Sequence, residues 1–68
     1  MRFDVYGLFE LEVRRTPEGW AVLRVGEGRF REAGITIPAE VPPEGVERYL
    51  DDLLHEGARD GQRLRRLA

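Results

Sequence analysis

The sequence predicts an α+β domain: an antiparallel three-stranded β-meander packed against one C-terminal amphipathic helix. Three observations carry this. Apolar and charged residues alternate over positions 3–13. Turn signals stand at 16–19 and 26–28. A stripe of apolar residues at three- and four-residue steps runs over 46–54.

Phe3, Val5, Phe9, Leu11 and Val13 are odd-numbered and apolar, whereas Asp4, Glu10, Glu12 and Arg14 are even-numbered and charged. A period of two sends these sets to opposite faces of a strand. Gly7 marks either a bend in one long strand or a break between two short ones. Parity runs through it unchanged, which favours one bent strand over about residues 2–14. Thr16-Pro17-Glu18-Gly19 is a turn, since Pro presets its own φ and Gly accepts a positive one. A three-residue hairpin loop fits this order. It sets Val13 opposite Leu23, Glu12 opposite Arg24 and Leu11 opposite Val25, joining opposite charges on one face and apolar residues on the other. A slip of one residue would set Glu12 against Leu23.

The second strand then spans about 20–25, and a third, centred on Phe30, spans about 29–32 after the Gly26-Glu27-Gly28 turn. Ile35-Thr36-Ile37 has β character, but Pro38, Pro42 and Pro43 confine it to an edge or an extended connector. Val46, Tyr49, Leu50, Leu53 and Leu54 form the apolar stripe of a helix over about 43–58. Pro43 suits its first turn, Glu44 its positive end, and Gly57 or Gly61 its stop. Residues 62–67 read as a fourth strand or a basic tail. The sheet's odd face and the helix stripe should pack together, with Phe9, Leu11, Leu23, Val25, Tyr49, Leu50 and Leu53 as core.

The chain has 68 residues, the length of one domain. A domain this small buries only about 60% of its unfolded surface, and its core supplies roughly 3–5 kcal/mol. Cysteine is absent, so disulfides are excluded, and a lone His55 leaves zinc without a ligand set. Association is the remaining source of stability, which makes self-association or a protein partner the expectation. The net charge of −2 gives nucleic acid no long-range attraction. No apolar run reaches the ~20 residues of a membrane span. The missing cysteine and missing export signal suit a reducing cytoplasm. Lys, Ser and Asn do not occur, and every basic residue but His55 is Arg, a thermophile-like bias in composition.

Four groups of residues invite a function. In the register above, Tyr6, Leu8, Trp20 and Val22 share the outer sheet face, an aromatic-bearing patch with charged borders that resembles an interface. Arg63, Arg65 and Arg66, with Arg59 before them, form a basic cluster of the kind that contacts phosphates. Asp51, Asp52 and His55 can share a helical face and hold a divalent metal, although a solvated acidic helix carrying one histidine is the plainer reading of the same residues. Catalysis has little to draw on: the hydroxyl nucleophiles reduce to Thr16 and Thr36, neither beside a histidine. Gly26-Glu27-Gly28 lacks the third glycine and the lysine of a phosphate loop, so no cofactor is expected.

Two resemblances follow from particular residues. Phe3-Asp4-Val5-Tyr6-Gly7, the run Tyr49-Leu50-Asp51-Asp52-Leu53-Leu54-His55-Glu56 and the Arg-rich ending resemble a family of short bacterial proteins of unknown function, which implies no activity. The hairpin with Glu18-Gly19-Trp20 followed by alternating apolar residues is similar to HicB-like antitoxins. That likeness implies a β-meander and helix in a partial RNase H-like fold that neutralises a small toxin. Here Val25-Gly26-Glu27-Gly28 departs from that family's Pro-rich segment, and no residue's role is carried over. The resulting expectation is a non-enzymatic interaction module binding itself or a protein partner, with Trp20 as anchor. The alternatives are a nucleic-acid-associated protein using the terminal arginines and a small metal protein or enzyme using His55.

Overall fold

Gly7 is where the expected long strand ends. In the computed structural model, which describes residues 1–57 and 61–68, Tyr6 and Gly7 both take positive φ, 55° and 73°. The Leu8 N–H donates to the Val5 carbonyl at 2.9 Å. Two left-handed central residues are the type I′ pattern, whose twist suits a hairpin. Strand β1 (Arg2–Val5) therefore folds back onto β2 (Phe9–Thr16), with Val5 opposite Phe9 and Phe3 opposite Leu11. This corrects the single bent strand. A three-residue loop keeps odd residues opposite odd ones, so the sequence parity is identical for a hairpin and for a continuous strand.

The next turn is one residue tighter than expected. Strand β3 (Gly19–Gly26) pairs with β2 through a loop of Pro17 and Glu18, with Thr16 opposite Gly19. Val13 consequently faces Val22, Glu12 faces Leu23 and Leu11 faces Arg24. The slip turns β3 over, because paired residues share a face. Gly19 is required here: its φ is +143°, and a Cβ would lie 3.2 Å from the Ala39 Cβ. A second type I′ turn, with φ of 52° at Glu27 and 72° at Gly28, leads into β4 (Arg29–Glu32).

The chain then crosses the sheet. A connector runs to a 3-10 turn at Pro43–Gly45, helix α1 (Val46–Leu54) and a closing 3-10 turn at His55–Gly57. The residues past the sheet's far edge form β5 (Leu64–Arg66), which pairs with β1. Strand order is β4-β3-β2-β1-β5, antiparallel throughout. The strand reading of the last stretch is the correct one, and the sheet has five strands. The helix boundary expected at 58, and Arg59, lie outside the described residues.

The core lies between the sheet and the layer made by α1 and the connector. Phe3, Val5, Leu11, Val13 and Val22 come from the sheet, Val46 and Leu50 from α1, Ile37 from the connector, Leu64 from β5 and Tyr6 from the first turn. Burying a large apolar side chain contributes about 1.5–3 kcal/mol, and Phe3, Leu11 and Leu50 are fully enclosed. Of the expected core, Leu23 and Val25 stand on the opposite face, Leu53 is 50% exposed, and Phe9 and Tyr49 pack at its margin. Ile37 is buried although the prolines around it keep it out of any strand.

Candidate interaction surfaces

Trp20 has a structural task. Its indole N–H donates to the Val41 carbonyl at 2.9 Å. The Arg15 guanidinium lies 4.6 Å from the indole centroid and donates to the Ala39 carbonyl at 3.0 Å. Arg15 and Trp20 are opposite each other in the β2–β3 pair, so the two side chains together pin the connector to the sheet. Tyr49 adds a third tie, its hydroxyl donating to the Thr36 carbonyl at 3.2 Å. Tyr6 ties the first turn to the helix: its hydroxyl donates to Asp51 Oδ1 at 2.9 Å. Burial first, then this carboxylate, pushes the Tyr6 phenol up to about 12.

The expected patch is therefore not assembled. Tyr6 and Val22 are buried in the core, Trp20 packs against it from the same side, and Leu8, 64% exposed, sits in the first turn. The one-residue slip in the β2–β3 register accounts for Trp20 and Val22. The left-handed turn accounts for Tyr6.

The face that does lie open carries a different set. Register places Arg2 and Asp4 of β1, Glu10, Glu12 and Arg14 of β2, Ala21, Leu23 and Val25 of β3, Phe30 and Glu32 of β4 and Arg65 of β5 on it. Its two halves differ. On the β1–β2 half, Glu12 accepts from Arg2 Nε at 2.9 Å and lies 3.6 Å from the Met1 ammonium and 3.8 Å from Arg14 Nε. Arg2 also reaches Glu10 at 3.6 Å, and Arg65 reaches Asp4 at 3.5 Å. The hydrogen bond from Arg2, ahead of the surrounding positive charge, holds the Glu12 carboxyl below its usual range. The β3–β4 half is apolar apart from Glu32 at the end of β4. Leu23 and Val25 are half-buried, and Phe30 is 47% exposed. Phe30 stands on the edge strand, yet its ring meets Arg14 at 5.0 Å and Arg2 at 5.8 Å from the centroid, so long side chains from β2 and β1 converge on it.

The remaining sequence candidates disperse. Arg65 is on the open face with Asp4, while Arg66 is one position on, faces the other way, and donates to the Ala68 carbonyl at 3.2 Å. Arg63 lines a groove of about 570 Å³ between α1 and β5, where Glu44, Glu47 and Asp51 outnumber Arg48 and Arg63. The three terminal arginines thus do not converge, and the charge of the groove around Arg63 is net negative. His55 Nδ1 contacts the Asp52 carbonyl at 2.8 Å, Asp51 is bonded to Tyr6, and Asp52 lies 4.0 Å from Arg48. Among the described residues, no group of three metal-ligating side chains gathers.

The pattern of a family described as Domain of unknown function (DUF7661) matches residues 1–67. The chain belongs to this family. That bears out the resemblance to short proteins of unknown function read from the Phe3–Gly7 and Tyr49–Glu56 runs. A tRNA modification GTPase MnmE of Azorhizobium caulinodans is 44% identical over 43 residues, 63% of this chain. The match spans 10% of that protein's length. Neither match is a HicB-like antitoxin. No solved structure matches. Among the described residues, no helix is long and apolar enough to cross a membrane.

Proposed function

We propose that this DUF7661 protein is a non-enzymatic interaction module that associates with a second copy of itself through the open face of the sheet. The observation that carries this reading is the division of that face into an apolar half, Leu23, Val25 and Phe30, and a half whose charges are already paired. Among the described residues Glu32 is the one charge of the face outside these ion pairs, and it stands at the rim, at the exposed end of edge strand β4, where a face-to-face contact leaves it in water. Arg2, Arg14 and Arg65 against Asp4, Glu10, Glu12 and Glu32 leave each face close to neutral, so copies do not repel.

The sheet edges argue for the face over the edge. Strand β4 is exposed along its whole length. Antiparallel pairing of two β4 strands about a two-fold axis keeps side chains on their own faces only in registers centred on one residue, which oppose Arg29 with itself, Arg29 with Arg31, Arg31 with itself or Glu32 with itself. On β5 the equivalent pairing opposes Arg65 with itself. Like charges directly opposite disfavour both, which is how natural edges resist edge-to-edge growth. A face-to-face dimer covers Leu23, Val25 and Phe30 and gives a small core the second apolar layer it lacks. The absence of cysteine suits such a module to a reducing cytoplasm.

Sedimentation across a concentration series tests this. The expected result is a species of twice 7.8 kDa that Phe30→Asp converts to monomer while the circular dichroism spectrum is unchanged. A wild-type chain that stays monomeric at every concentration overturns the reading. So does a stoichiometric complex with a different protein, recovered after nuclease treatment, that survives Phe30→Asp.

A further inference from the structure

The β3–β4 hairpin carries three arginines on the helix-bearing side of the sheet, away from the open face. Arg24 stands directly opposite Arg31, and Arg29 stands opposite Gly26. Directly opposed like charges cost stability, yet no carboxylate relieves them: among the described residues, none of the three takes part in an ion pair. Arg24 is held over the Phe9 ring, 4.4 Å from its centroid, which fixes one guanidinium in place. The three arginines, with Gly26 and Glu27, line a concavity of about 340 Å³. Gly26 contributes no side chain, and a Cβ built there would meet open space. Its φ lies outside the left-handed region, so glycine is not demanded by the backbone there. The empty position keeps the concavity open.

We propose that this concavity binds a dianionic phosphate group, free or as a monoester. Three guanidiniums against the one carboxylate of Glu27 leave its lining with a net charge of +2. A phosphate monoester carries about −1.5 to −2 at neutral pH and presents three terminal oxygens. One such group neutralises the lining and accepts from more than one guanidinium fork at once. A carboxylate has one charge and two oxygens. It satisfies a single fork and leaves the opposed pair still repelling. The sites differ in residues from the terminal arginines and from the open face, so this inference stands independently of self-association.

The test is an NMR titration of the full chain that follows the arginine Nε–Hε signals. The probes are sodium phosphate and adenosine 5′-monophosphate, with adenosine and an oligoglutamate peptide for comparison. Saturable shifts at Arg24, Arg29 and Arg31 with either phosphate probe, and none with adenosine, are expected. Inorganic phosphate binding equally well marks a site for the free anion, and preference for the nucleotide marks a site for the ester. Arg29→Gln should weaken binding about tenfold, the effect of losing one charge-assisted hydrogen bond. Gly26→Leu should abolish binding with every arginine retained, its fold verified by unchanged amide signals of Phe3, Leu11 and Leu50. No shift with either phosphate probe overturns the proposal. Shifts with oligoglutamate alone, shifts confined to Arg63, Arg65 and Arg66, or unchanged binding by Gly26→Leu also overturn it.

Discussion

Tyr6 combines three properties that a sequence pattern reads poorly. Its backbone is left-handed, which is unusual for a bulky residue; its ring is 5% exposed; and its hydroxyl is bonded to a carboxylate 45 residues away. Burial of the ring and the bond to Asp51 offset the backbone strain. The phenol, pushed up to about 12 by burial and then by Asp51, links stability to alkaline pH. A proton held more tightly in the folded state stabilises it fully below the unfolded tyrosine value of about 10. That contribution is lost as pH rises from there toward the folded value. Tyr6→Phe should flatten this alkaline decline in urea melts and cost about 1 kcal/mol near neutral pH, a small loss because exposed Asp51 regains water. Trp20 teaches the same lesson. An indole N–H near a core needs an acceptor, but a sequence does not say that the acceptor is Val41, 21 residues on. An aromatic among charges reads as an interface anchor until that carbonyl is known.

The elements were legible where the chemistry is local. The helix stripe, the proline at its first turn and the Gly26–Gly28 turn stand where residue types placed them. Register was not legible, and loop length explains why. A three-residue loop at Tyr6–Leu8 preserves parity, which made β1 and β2 look like one strand. A two-residue loop at Pro17–Glu18 reverses it, which moved Trp20 and Val22 inward and Leu23 and Val25 outward. The run Trp20-Ala21-Val22-Leu23 is apolar at both parities, so burial alone does not choose its face. What chooses it is Gly19, whose close approach to Ala39 lets the connector seat on the even residues of β3. Gly19→Ala should therefore cost about 1–3 kcal/mol, from the forbidden φ and the tight contact together. Chemical denaturation with an unchanged m-value would check it. Gly26→Ala, with open space and an ordinary φ, should be close to neutral in the same assay.

At the scale of the molecule, charge is sorted by region. The helix side between α1 and β5 is acidic, the β3–β4 hairpin is basic, and the open face is near neutral because its charges pair with one another. The net charge of −2 hides this separation, which is why composition argued against phosphate recognition while the hairpin argues for it. The open face was expected as the contact surface, and a partly apolar, aromatic-bearing face is present, but its exposed aromatic is Phe30 rather than Trp20. The signal that could have found Phe30 was available: it is the lone apolar residue in the Arg29–Glu32 strand.

Strand β5 lies beside β1 and runs antiparallel to it. The Arg2 N–H donates to the Ala68 carbonyl at 3.0 Å, and the Leu67 N–H donates to the Arg2 carbonyl at 2.7 Å. The two ends of the chain thus stand as the arms of a hairpin that has no loop. A short linker from residue 68 to residue 1 would supply that loop, and a new opening at the exposed Gly34 bend after β4 would leave every strand paired with its neighbour in the new chain order. In that rewired order the pairing that spans nearly the whole chain becomes a neighbour contact. Contact order falls, and the permuted protein should refold faster than the original at similar stability, a difference that stopped-flow fluorescence of Trp20 can measure.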